Sequence, residues 1–563
     1  MTLPSPPSLG IDFGTTTSLV AVGRPVADAR GVEPSVLPVD HDEAGAALDT
    51  LPTLLYFPSV RKLVIGEAAR EQLGLRPDRV VRRLKQLLGR FPRVAVAGRS
   101  YATTDLAAAV FRRLKRAAET HVGSRVRDAV VTVPASFDAG RRRALLDALE
   151  AAGFAVRANT LLDEPVAALA AYLHGRTAAP RRAVSSRGGP ASLLDPGAID
   201  FSVERTVLLL DVGGGTSDAC VARVRPDGGG LAVELLALSR FTPVGGDDFD
   251  ALVARGLIAR FAERSGLDLD AMPKGDRLLF QHRMILTAER AKRDVSAAPV
   301  DGVEPVARIR QMFLHGTHHL LETIDRARYA ELAAPLLADP RAARDDGCLS
   351  VLDAPWDALR KAGLDPAALD AVLLAGGMAL VPAVRDAVAR LFGREPLLVP
   401  SPLTAIVAGA VVQSFALAGG RPGLRPAAAI AAESVGVCTA GGGFRRLIAA
   451  GTPLPARVVE RAAFALPHGW GRYVRIPIAE GDETRADCRR TLATLALRFP
   501  RRVPADSRVT LEAVLDENKV LSVRGYLEAD PSISASARLN VGGEGGRGEG
   551  GRGKPQMDTD EHR

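Results

Sequence analysis

The chain has 563 residues, of which 25% are charged and 47% hydrophobic, a composition that predicts a soluble globular protein of more than one domain. No run of 18 apolar residues occurs and the first residues lack a signal-peptide pattern, so we expect a cytoplasmic protein without a membrane partner. The net charge of +8 is scattered rather than gathered with aromatic residues, and no nucleic-acid partner is expected.

The first 418 residues alternate short β-branched strands with longer helical stretches. Strands are predicted at 129–133, 206–210 and 371–374, and amphipathic helices at 138–152 and 277–293. This alternation predicts an α/β fold. Four scattered cysteines without a CxxC pair predict neither a disulfide framework nor a zinc site.

The composition changes at several later points in the chain. A Pro-, Gly-, Ser- and Arg-rich stretch at 176–205 predicts an exposed insertion. After a linker at 419–433, short strands and turns predict a small all-β domain over 434–540, in which Asp516-Glu-Asn-Lys519 forms a hairpin turn. The glycine-rich tail, 541–563, is predicted to be disordered.

Two segments of the first 418 residues resemble each other. Leu9-Gly-Ile-Asp12 is followed by the glycine- and threonine-rich turn Gly14, Thr15, Thr16, Thr17. Leu208-Leu-Leu-Asp211 is followed by Gly213, Gly214, Gly215, Thr216. Such turns let backbone N–H groups and hydroxyls approach phosphate oxygens. The aspartate that ends each first strand supplies an oxygen of the kind a hydrated Mg²⁺ needs.

A third strand leads into a glycine pair, Gly376 and Gly377, at a helix start. Two facing hairpins would hold a polyphosphate from both sides, and the third turn would approach the adenosine. Phosphoryl transfer depends mainly on such positioning and on charge neutralisation.

In the order of these motifs the chain resembles the actin, sugar-kinase and seventy-kilodalton heat-shock superfamily. The detail is similar to the heat-shock (DnaK-type) branch, in 129–137, Leu162-Asp-Glu164-Pro165, Val244-Gly245-Gly246-Asp and 288–296. The resemblance implies an actin-like two-lobed ATPase domain with duplicated RNase H-like halves, at 1–418, followed by a β-sandwich that binds substrate.

The resemblance also assigns site residues. It implies that Asp12 and Asp211 hold Mg²⁺ through water and that Lys85 positions the attacking water. Glu164 would link the metal site to Pro134, with Arg142 in the same relay. The catalytic set is then Lys85, Asp12, Glu164, Asp211 and Thr216. The nucleotide-binding set is Gly14, Thr15, Thr16, Thr17, Gly213, Gly214, Gly215, Thr216, Asp218, Gly245, Gly246, Glu289, Lys292, Arg293, Ser296, Gly376 and Gly377.

Each of the less distinctive residues has a structural alternative. Lys85 lies in what reads as a basic amphipathic helix, where it could be solvated. Glu164-Pro165 could simply start a helix. Glu289, Lys292 and Arg293 could form surface ion pairs. The histidines of His315-Gly-Thr-His318-His319 suggest a metal, but the segment reads as a charged helical region without carboxylate partners.

The function implied is that of an ATP-hydrolysing chaperone with ATP or ADP, Mg²⁺ and optionally K⁺ as cofactors. Its implied partners are unfolded or extended peptides, with J-domain and nucleotide-exchange co-chaperones. The chain departs from the family where Leu380 replaces an adenine-packing arginine and in the merely apolar linker, and we expect it to lack the helical lid of the family. These departures keep open an ATP-binding regulatory or scaffold protein with little turnover and one dedicated partner. A small-molecule kinase is disfavoured, because it would leave the β domain without a purpose.

Overall fold

The computed structural model describes residues 8–26, 31–42, 44–178, 199–228, 230–240, 242–300, 302–342, 349–439, 442–465, 473–481, 490–499, 503 and 507–538. The predicted disordered tail and most of the predicted insertion therefore lie outside the described residues. Of the four cysteines, Cys220 and Cys438 are free thiols, and Cys348 and Cys488 lie outside the described residues. None of the described helices combines the length and apolarity needed to cross a lipid bilayer.

The first part of the chain runs through thirteen strands and five helices in the described residues. In order they are β1 Ser8–Phe13, β2 Thr17–Pro25, β3 Val32–Val36, β4 Asp40–His41, β5 Ala47–Leu48, β6 Leu51–Pro52, β7 Leu55–Ser59, β8 Lys62–Ile65, α1 Glu67–Arg70, β9 Val80–Val81, α2 Leu84–Leu87, β10 Arg93–Val96, β11 Arg99–Ala102, α3 Thr103–Val122, β12 Val130–Val133, α4 Ala139–Ala151, β13 Leu161–Asp163 and α5 Glu164–Ala178.

The middle part is richer in long helices. Its elements are β14 Arg205–Val212, β15 Ser217–Asp227, β16 Gly230–Leu238, α6 Gly246–Ser265, α7 Lys274–Val295, β17 Ala307–His315, β18 His318–Ile324, α8 Arg326–Ala333, α9 Asp353–Lys361, β19 Ala371–Ala375, α10 Pro382–Phe392, β20 Leu397–Leu398, α11 Ala405–Leu417 and β21 Leu424–Arg425.

The last part of the described chain contains strands alone. They are β22 Ser434–Cys438, β23 Phe444–Ile448, β24 Ala456–Ala465, β25 Tyr473–Gly481, β26 Arg490–Arg498, β27 Arg508–Leu515, β28 Leu521–Leu527 and β29 Asp530–Arg538.

The first two parts each build a six-stranded sheet with the same internal order. One sheet runs β13-β12-β1-β2-β3 with β6 beside β2, and the other runs β20-β19-β14-β15-β16-β21. In both, a hairpin lies antiparallel at the centre and its first strand pairs in parallel with a later strand. The repeat in the sequence is therefore a repeat in topology, and this mixed α/β architecture agrees with the predicted α/β class.

Helices α5 and α11 pack against each other between these sheets. Helix α11 also packs on β1 and β2, whereas α5 packs on β14 and β15. The backbones are in close contact, because a methyl group added at Gly409 would lie 1.8 Å from the Ala167 carbonyl oxygen. An apolar helix such as Ala405–Leu417 can be buried on all sides, and it lies here against both the first sheet and α5.

The last part forms two four-stranded antiparallel sheets, β23-β22-β25-β26 and β24-β27-β28-β29. Buried residues from both sheets, among them Val437, Ile478, Leu511 and Leu521, belong to one apolar cluster. The predicted hairpin at 516–519 is present, since β27 pairs with β28 from Val509↔Leu527 to Leu515↔Leu521.

The predicted linker is itself ordered against the second sheet. Strand β21 pairs in parallel with β16, with Leu231 opposite Leu424. The carbonyl of Pro422 lies 2.8 Å from a ring nitrogen of His174 in α5. A segment that reads as merely apolar in the sequence thus adds an edge strand to a sheet.

At three places the structure differs from the local predictions. The segment 315–319 belongs to the β17–β18 hairpin rather than to a helix, because alternate residues such as Ala307 and Ile309 are buried. The predicted helix at Lys85 is present as four residues after the left-handed Arg83, but Lys85 is buried and not solvated. The predicted insertion is too wide at both ends, because its first residues extend α5 to Ala178 and β14 begins at Arg205.

Candidate functional site

The two glycine-rich turns lie against one another. A methyl group added at Gly214 would come within 2.5 Å of Thr16 Oγ1, and one at Gly215 within 2.7 Å of Thr15 Cγ2. The side chain of Gln86 joins them from a third direction, since its Nε2 donates to the Gly215 carbonyl at 2.8 Å. The structure therefore brings together the predicted residues Thr15, Thr16, Gly214 and Gly215.

Glycine is required at the start of the first turn. A methyl group added at Gly14 would lie 2.0 Å from the Thr17 carbonyl oxygen, so no larger residue fits this backbone. The second turn closes with a backbone bond from Gly213 N to Thr216 O at 3.0 Å. Thr15 and Thr216 are both buried, at the start and the end of their respective turns.

Four buried carboxyl groups surround one lysine at this point. Asp12, Asp211, Asp218 and Glu164 are each less than a tenth exposed, as is Lys85. Lys85 Nζ forms an ion pair with Glu164 Oε1. One cation faces four acids, and such a site favours any further positive charge.

The protonation equilibria of the acids reflect this imbalance. Burial, together with the nearby charges of Asp12 and Asp218, raises the pKa of Glu164 to about 8, although the charge of Lys85 acts to lower it. Burial also raises the pKa of Asp211 well above its ordinary value, with Glu164, Asp218 and Asp12 acting in the same direction.

Lys85 shows the opposite balance. Burial favours its neutral amine, but the carboxylates of Glu164 and Asp12 outweigh that effect and raise its pKa. Lys85 therefore stays charged, and Glu164, Asp12 and Asp218 all interact with this one positive charge.

Two hydroxyl groups orient the aspartates. Thr132 on β12 donates to Asp12 Oδ1 at 2.8 Å, because Thr132 lies directly opposite Asp12 in the parallel register. Ser136 donates from Oγ to Asp218 Oδ1 at 2.7 Å. The first bond holds Asp12 at the end of β1, and the second fixes Asp218 at the start of β15.

Two carboxylate oxygens of the site remain without a hydrogen-bond partner. They are Asp211 Oδ1 and Asp218 Oδ2, and both are buried. Anionic oxygens in this state fit a hydrated Mg²⁺, which takes few protein ligands and keeps several waters. Within the described residues no three His, Cys, Asp or Glu side chains are grouped so that they could hold a metal ion directly.

Helix α6 begins beside the second turn. Gly246 N donates to Gly213 O at 3.0 Å, and a methyl group at Gly245 would lie 2.6 Å from Gly215 N. Asp248 Oδ2 accepts from Gly245 N at 2.9 Å and caps the helix. The positive end of the 20-residue helix α6 therefore lies at the second glycine-rich turn, which is predicted to bind phosphate.

The residues predicted around adenosine fall into two groups. Lys292 joins α6, with Nζ 2.8 Å from Asp250 Oδ2 and 3.2 Å from Gly246 O. A methyl group at Gly246 would lie 3.2 Å from both Lys292 Nζ and Met378 Sδ. Lys292, Gly246 and the turn that carries Gly376 and Gly377 thus lie together.

The second group stays close to helix α7. Glu289 accepts from Arg293 at 2.5 Å and from Arg70 at 3.0 Å. Ser296 donates to its own helix at Lys292 O. The surface ion pair that the spacing allows is thus formed between Glu289 and Arg293.

The third turn reaches the acidic cluster as well. Gly376 has a positive φ of 81°, and a methyl group there would lie 2.4 Å from Asp211 Oδ1. Leu380, which stands where the family has an arginine, is 37% exposed.

Glu164 was predicted to be linked to Pro134 with Arg142 in the same relay, and in the structure Arg142 contacts Asp163, the residue before Glu164. Arg142 Nη2 lies 2.6 Å from Asp163 Oδ1 and donates to the Pro134 carbonyl at 3.2 Å. Pro134 and Asp163, which directly precedes Glu164, are therefore held by one guanidinium group.

Sequence reasoning missed several residues of this site, namely Arg83, Gln86, Thr132 and Ser136. Arg83 crosses to helix α6, where it pairs with Asp247 at 2.8 Å and Asp248 at 3.5 Å. Gln86 could have been suspected beside Lys85. Thr132 lies opposite Asp12 in the pairing of β1 with β12. The sequence does not reveal this register, so Thr132 could not be identified from it.

Two sheets of repeated topology that bring paired glycine turns and buried aspartates together belong to the actin-like ATPase class of folds. Residues 91–532 match the family model described as Hsp70 protein. Because this match covers most of the chain, the protein belongs to the Hsp70 family. Members of that family are in general ATP-dependent chaperones that bind ATP or ADP with Mg²⁺, peptide substrates and co-chaperones. The first glycine turn, at residues 14–16, lies outside the matched range.

Proposed function

We propose that this protein is a molecular chaperone that hydrolyses ATP and uses the cycle to control binding of extended peptides. The observation that carries the proposal is the buried group of Lys85 and four carboxyl groups where the two glycine turns meet. A catalytic site of this kind supplies positioning and charge neutralisation, which is most of what phosphoryl transfer needs.

The proposal gives each group a role. The turns of residues 14–16 and 213–216 would bind the phosphates with backbone N–H groups and threonine hydroxyls. Asp12, Asp211 and Asp218 would hold Mg²⁺ through water, and that ion would neutralise phosphate charge. Lys85, fixed by Glu164, would orient the attacking water and offset negative charge on the terminal phosphate.

We infer the domain boundaries on the same basis. An ATPase domain would span residues 1–418, and a substrate domain would span 434–540 after the linker. The two C-terminal sheets share one core, as a sandwich does. Extended peptide would bind there by strand-like contacts with an apolar groove.

A regulatory protein with little turnover is the second candidate. The observation that favours it lies on the adenosine side, where Glu289 and Arg293 pair with each other and Leu380 offers no cation. Such a protein would bind ATP, hold it, and present its C-terminal sheets to one partner.

Single-turnover ATP hydrolysis beside binding of an unfolded model protein separates the two candidates. For the chaperone, hydrolysis is expected in the wild type and a loss of at least about a hundredfold in Lys85→Ala and Thr216→Ala. ATP should also release the unfolded protein. Tight ATP binding without turnover would support the regulatory protein, and absence of Mg·ATP binding would refute both.

A control variant separates catalysis from folding. Lys62→Ala removes an exposed lysine of β8 and should leave hydrolysis unchanged. If Lys62→Ala lost activity as Lys85→Ala does, the assignment of Lys85 would be wrong.

A further inference from the structure

The turn between β27 and β28 contacts the strand that leads to Glu164. Asn518 Oδ1 accepts from Leu161 N at 3.0 Å, and Asn518 Nδ2 donates to Arg157 O at 2.8 Å. Val520 belongs to the apolar cluster of the first sheet. The last part of the chain is therefore joined to the first by residues more than 350 positions apart.

Lys519 enters this interface with its charge. Its Nζ lies 2.5 Å from Asp163 Oδ2, while Arg142 Nη2 holds Asp163 Oδ1 at 2.6 Å. All three side chains are nearly fully buried. The Asp163 carboxylate is thus shared between Arg142, from the first part of the chain, and Lys519, from the C-terminal sheets.

The charges are arranged so that Asp163 stays ionised. Burial alone would raise its pKa, but Lys519 and Arg142 outweigh burial and lower it. For Lys519 burial outweighs the attraction of Asp163, and its pKa falls to about 8. A buried pair of this balance adds little net stability, so stability does not explain why it is there.

The backbone of Lys519 gives a second reason to look for a role. Its φ of 59° lies in the left-handed region, where a side chain costs about 1 kcal/mol and glycine or asparagine is more common. Strain of this kind is found where the surrounding structure needs a particular side chain.

The path from Lys519 to the catalytic cluster is short. Asp163 is the last residue of β13 and Glu164 the first of α5, so a contact that fixes Asp163 also holds the backbone from which the Glu164 side chain extends. Glu164 in turn pairs with Lys85. The ammonium group of Lys519 is thus separated from Lys85 by two carboxylates on adjacent residues.

We propose that Lys519 is a positioning residue for ATP hydrolysis, which fixes Glu164 and Lys85 through Asp163 while the β27–β28 turn is docked. The proposal rests on the proposed function. It makes one side chain of the C-terminal sheets, Lys519, part of the support of the hydrolytic site.

The test replaces Lys519 by methionine in the full chain. Lys519→Met removes the charge but keeps an unbranched side chain beside Leu515 and Leu521, which line the same cleft. Asn518 still bonds Leu161, so docking should persist and the Leu161 amide should stay protected in hydrogen exchange. We expect kcat to fall about fivefold with KM for ATP unchanged.

Two further variants and a second readout complete the design. Lys519→Arg should restore most of the turnover, and Glu517→Gln, one charge changed in the same turn, should behave as wild type. In Lys519→Met the amides of residues 168–170, the first in α5 that bond back to residues of the helix, should exchange faster whether or not ATP is hydrolysed.

Three results would overturn the proposal. They are an unchanged kcat in Lys519→Met, unchanged exchange at residues 168–170, and loss of protection at Leu161, which would make Lys519 a docking residue only. If the wild-type chain hydrolyses no ATP, the proposed function fails instead, and the exchange at residues 168–170 alone decides whether Lys519 positions the start of α5.

Discussion

Asp12 is oriented by the hydroxyl group of Thr132. Thr132→Val keeps the shape of the buried strand but removes the bond to Asp12 Oδ1. Hydrogen bonds to charged groups are worth about 1.5–3 kcal/mol, so the apparent Mg²⁺ affinity in the presence of ATP should fall about tenfold. Calorimetric titration of Mg²⁺ into protein with ATP measures this change.

A second buried threonine provides the matched control for that experiment. Thr103 Oγ1 donates to the Phe91 carbonyl at 2.8 Å, at the start of α3. Thr103→Val should lose a comparable amount of stability without changing the Mg²⁺ requirement. Equal Mg²⁺ affinity in the two variants would show that Thr132 does not orient a metal-binding group.

The carboxyl cluster also predicts how stability depends on pH without Mg²⁺ and nucleotide. Burial raises the pKa of Glu164 from an ordinary 4.5 to about 8, so between those values the folded state holds a proton that the unfolded chain has lost. Stability is then fully present at low pH and is lost as the pH rises towards 8. The thermal midpoint should fall between pH about 5.5 and 8, as followed by circular dichroism.

Glu164→Gln tests the origin of that slope. The glutamine cannot titrate, so the midpoint of this variant should depend less steeply on pH over the same interval. A wild-type midpoint that rises with pH, or the same slope in both proteins, would contradict the assignment of the raised pKa to Glu164.

At the scale of residues, the sequence identified the site residues that belong to the repeated motif. It did not identify those that other segments of the chain bring to the site. Asp12 and Asp211 could be paired because the same short pattern precedes both. Thr132 and Ser136 carry no such pattern, since an isolated hydroxyl near a strand end is common. Their importance comes from β-sheet register and from a chain crossing, neither of which a single sequence states.

Two glycines show how helices α5 and α11 depend on close packing. A methyl group at Gly409 in α11 would lie 1.8 Å from Ala167 O, whereas one at Gly175 in α5 would meet nothing within 4 Å. Gly409→Ala should lower the free energy of unfolding by about 3 kcal/mol. Gly175→Ala, at an exposed helical position, should raise it by about 0.5–1 kcal/mol.

Denaturant unfolding of both variants measures these opposite effects. Because the substitution is chemically the same, helix propensity cancels in the comparison and the difference reports the contact with Ala167. Similar stabilities for the two variants would mean that α5 and α11 can separate without loss.

Predictions of elements succeeded where burial is uniform. The strands at 206–210 and 371–374 lie within β14 and β19, both almost wholly buried. The prediction failed for the segment around His315, where exposed arginines and histidines hide the alternation of a half-buried hairpin. The helix predicted around Lys85 is present but spans only four residues after the left-handed Arg83.

At the scale of the molecule, the echo between the two halves predicted the repeated sheets, but no pattern predicted how the C-terminal sheets would lie against them. The contacts of Asn518 and Lys519 with residues 157–163 join distant segments. Each partner is an ordinary polar residue in its own segment. Only the folded chain shows that Asp163 has a second cation.

That second cation predicts a pH effect on turnover that belongs to the docked molecule as a whole. With its pKa lowered from 10.5 to about 8, Lys519 is charged below about pH 8 and loses its proton as the pH rises, whereas arginine keeps its charge. If a charged Lys519 positions the site, the kcat of wild type should fall above pH 8 while that of Lys519→Arg persists.

The ratio of the two kcat values, measured from pH 7 to 9.5, isolates Lys519 from other titrating groups. The charged groups that face it or line its cleft are Asp163, Arg142, Lys361, Glu433 and Glu480. The pKa of Glu480 is itself raised to about 8 by burial, but Glu480 is present in both proteins and should largely cancel in the ratio. Parallel pH profiles for wild type and Lys519→Arg would show that the charge of Lys519 does not reach the hydrolytic site.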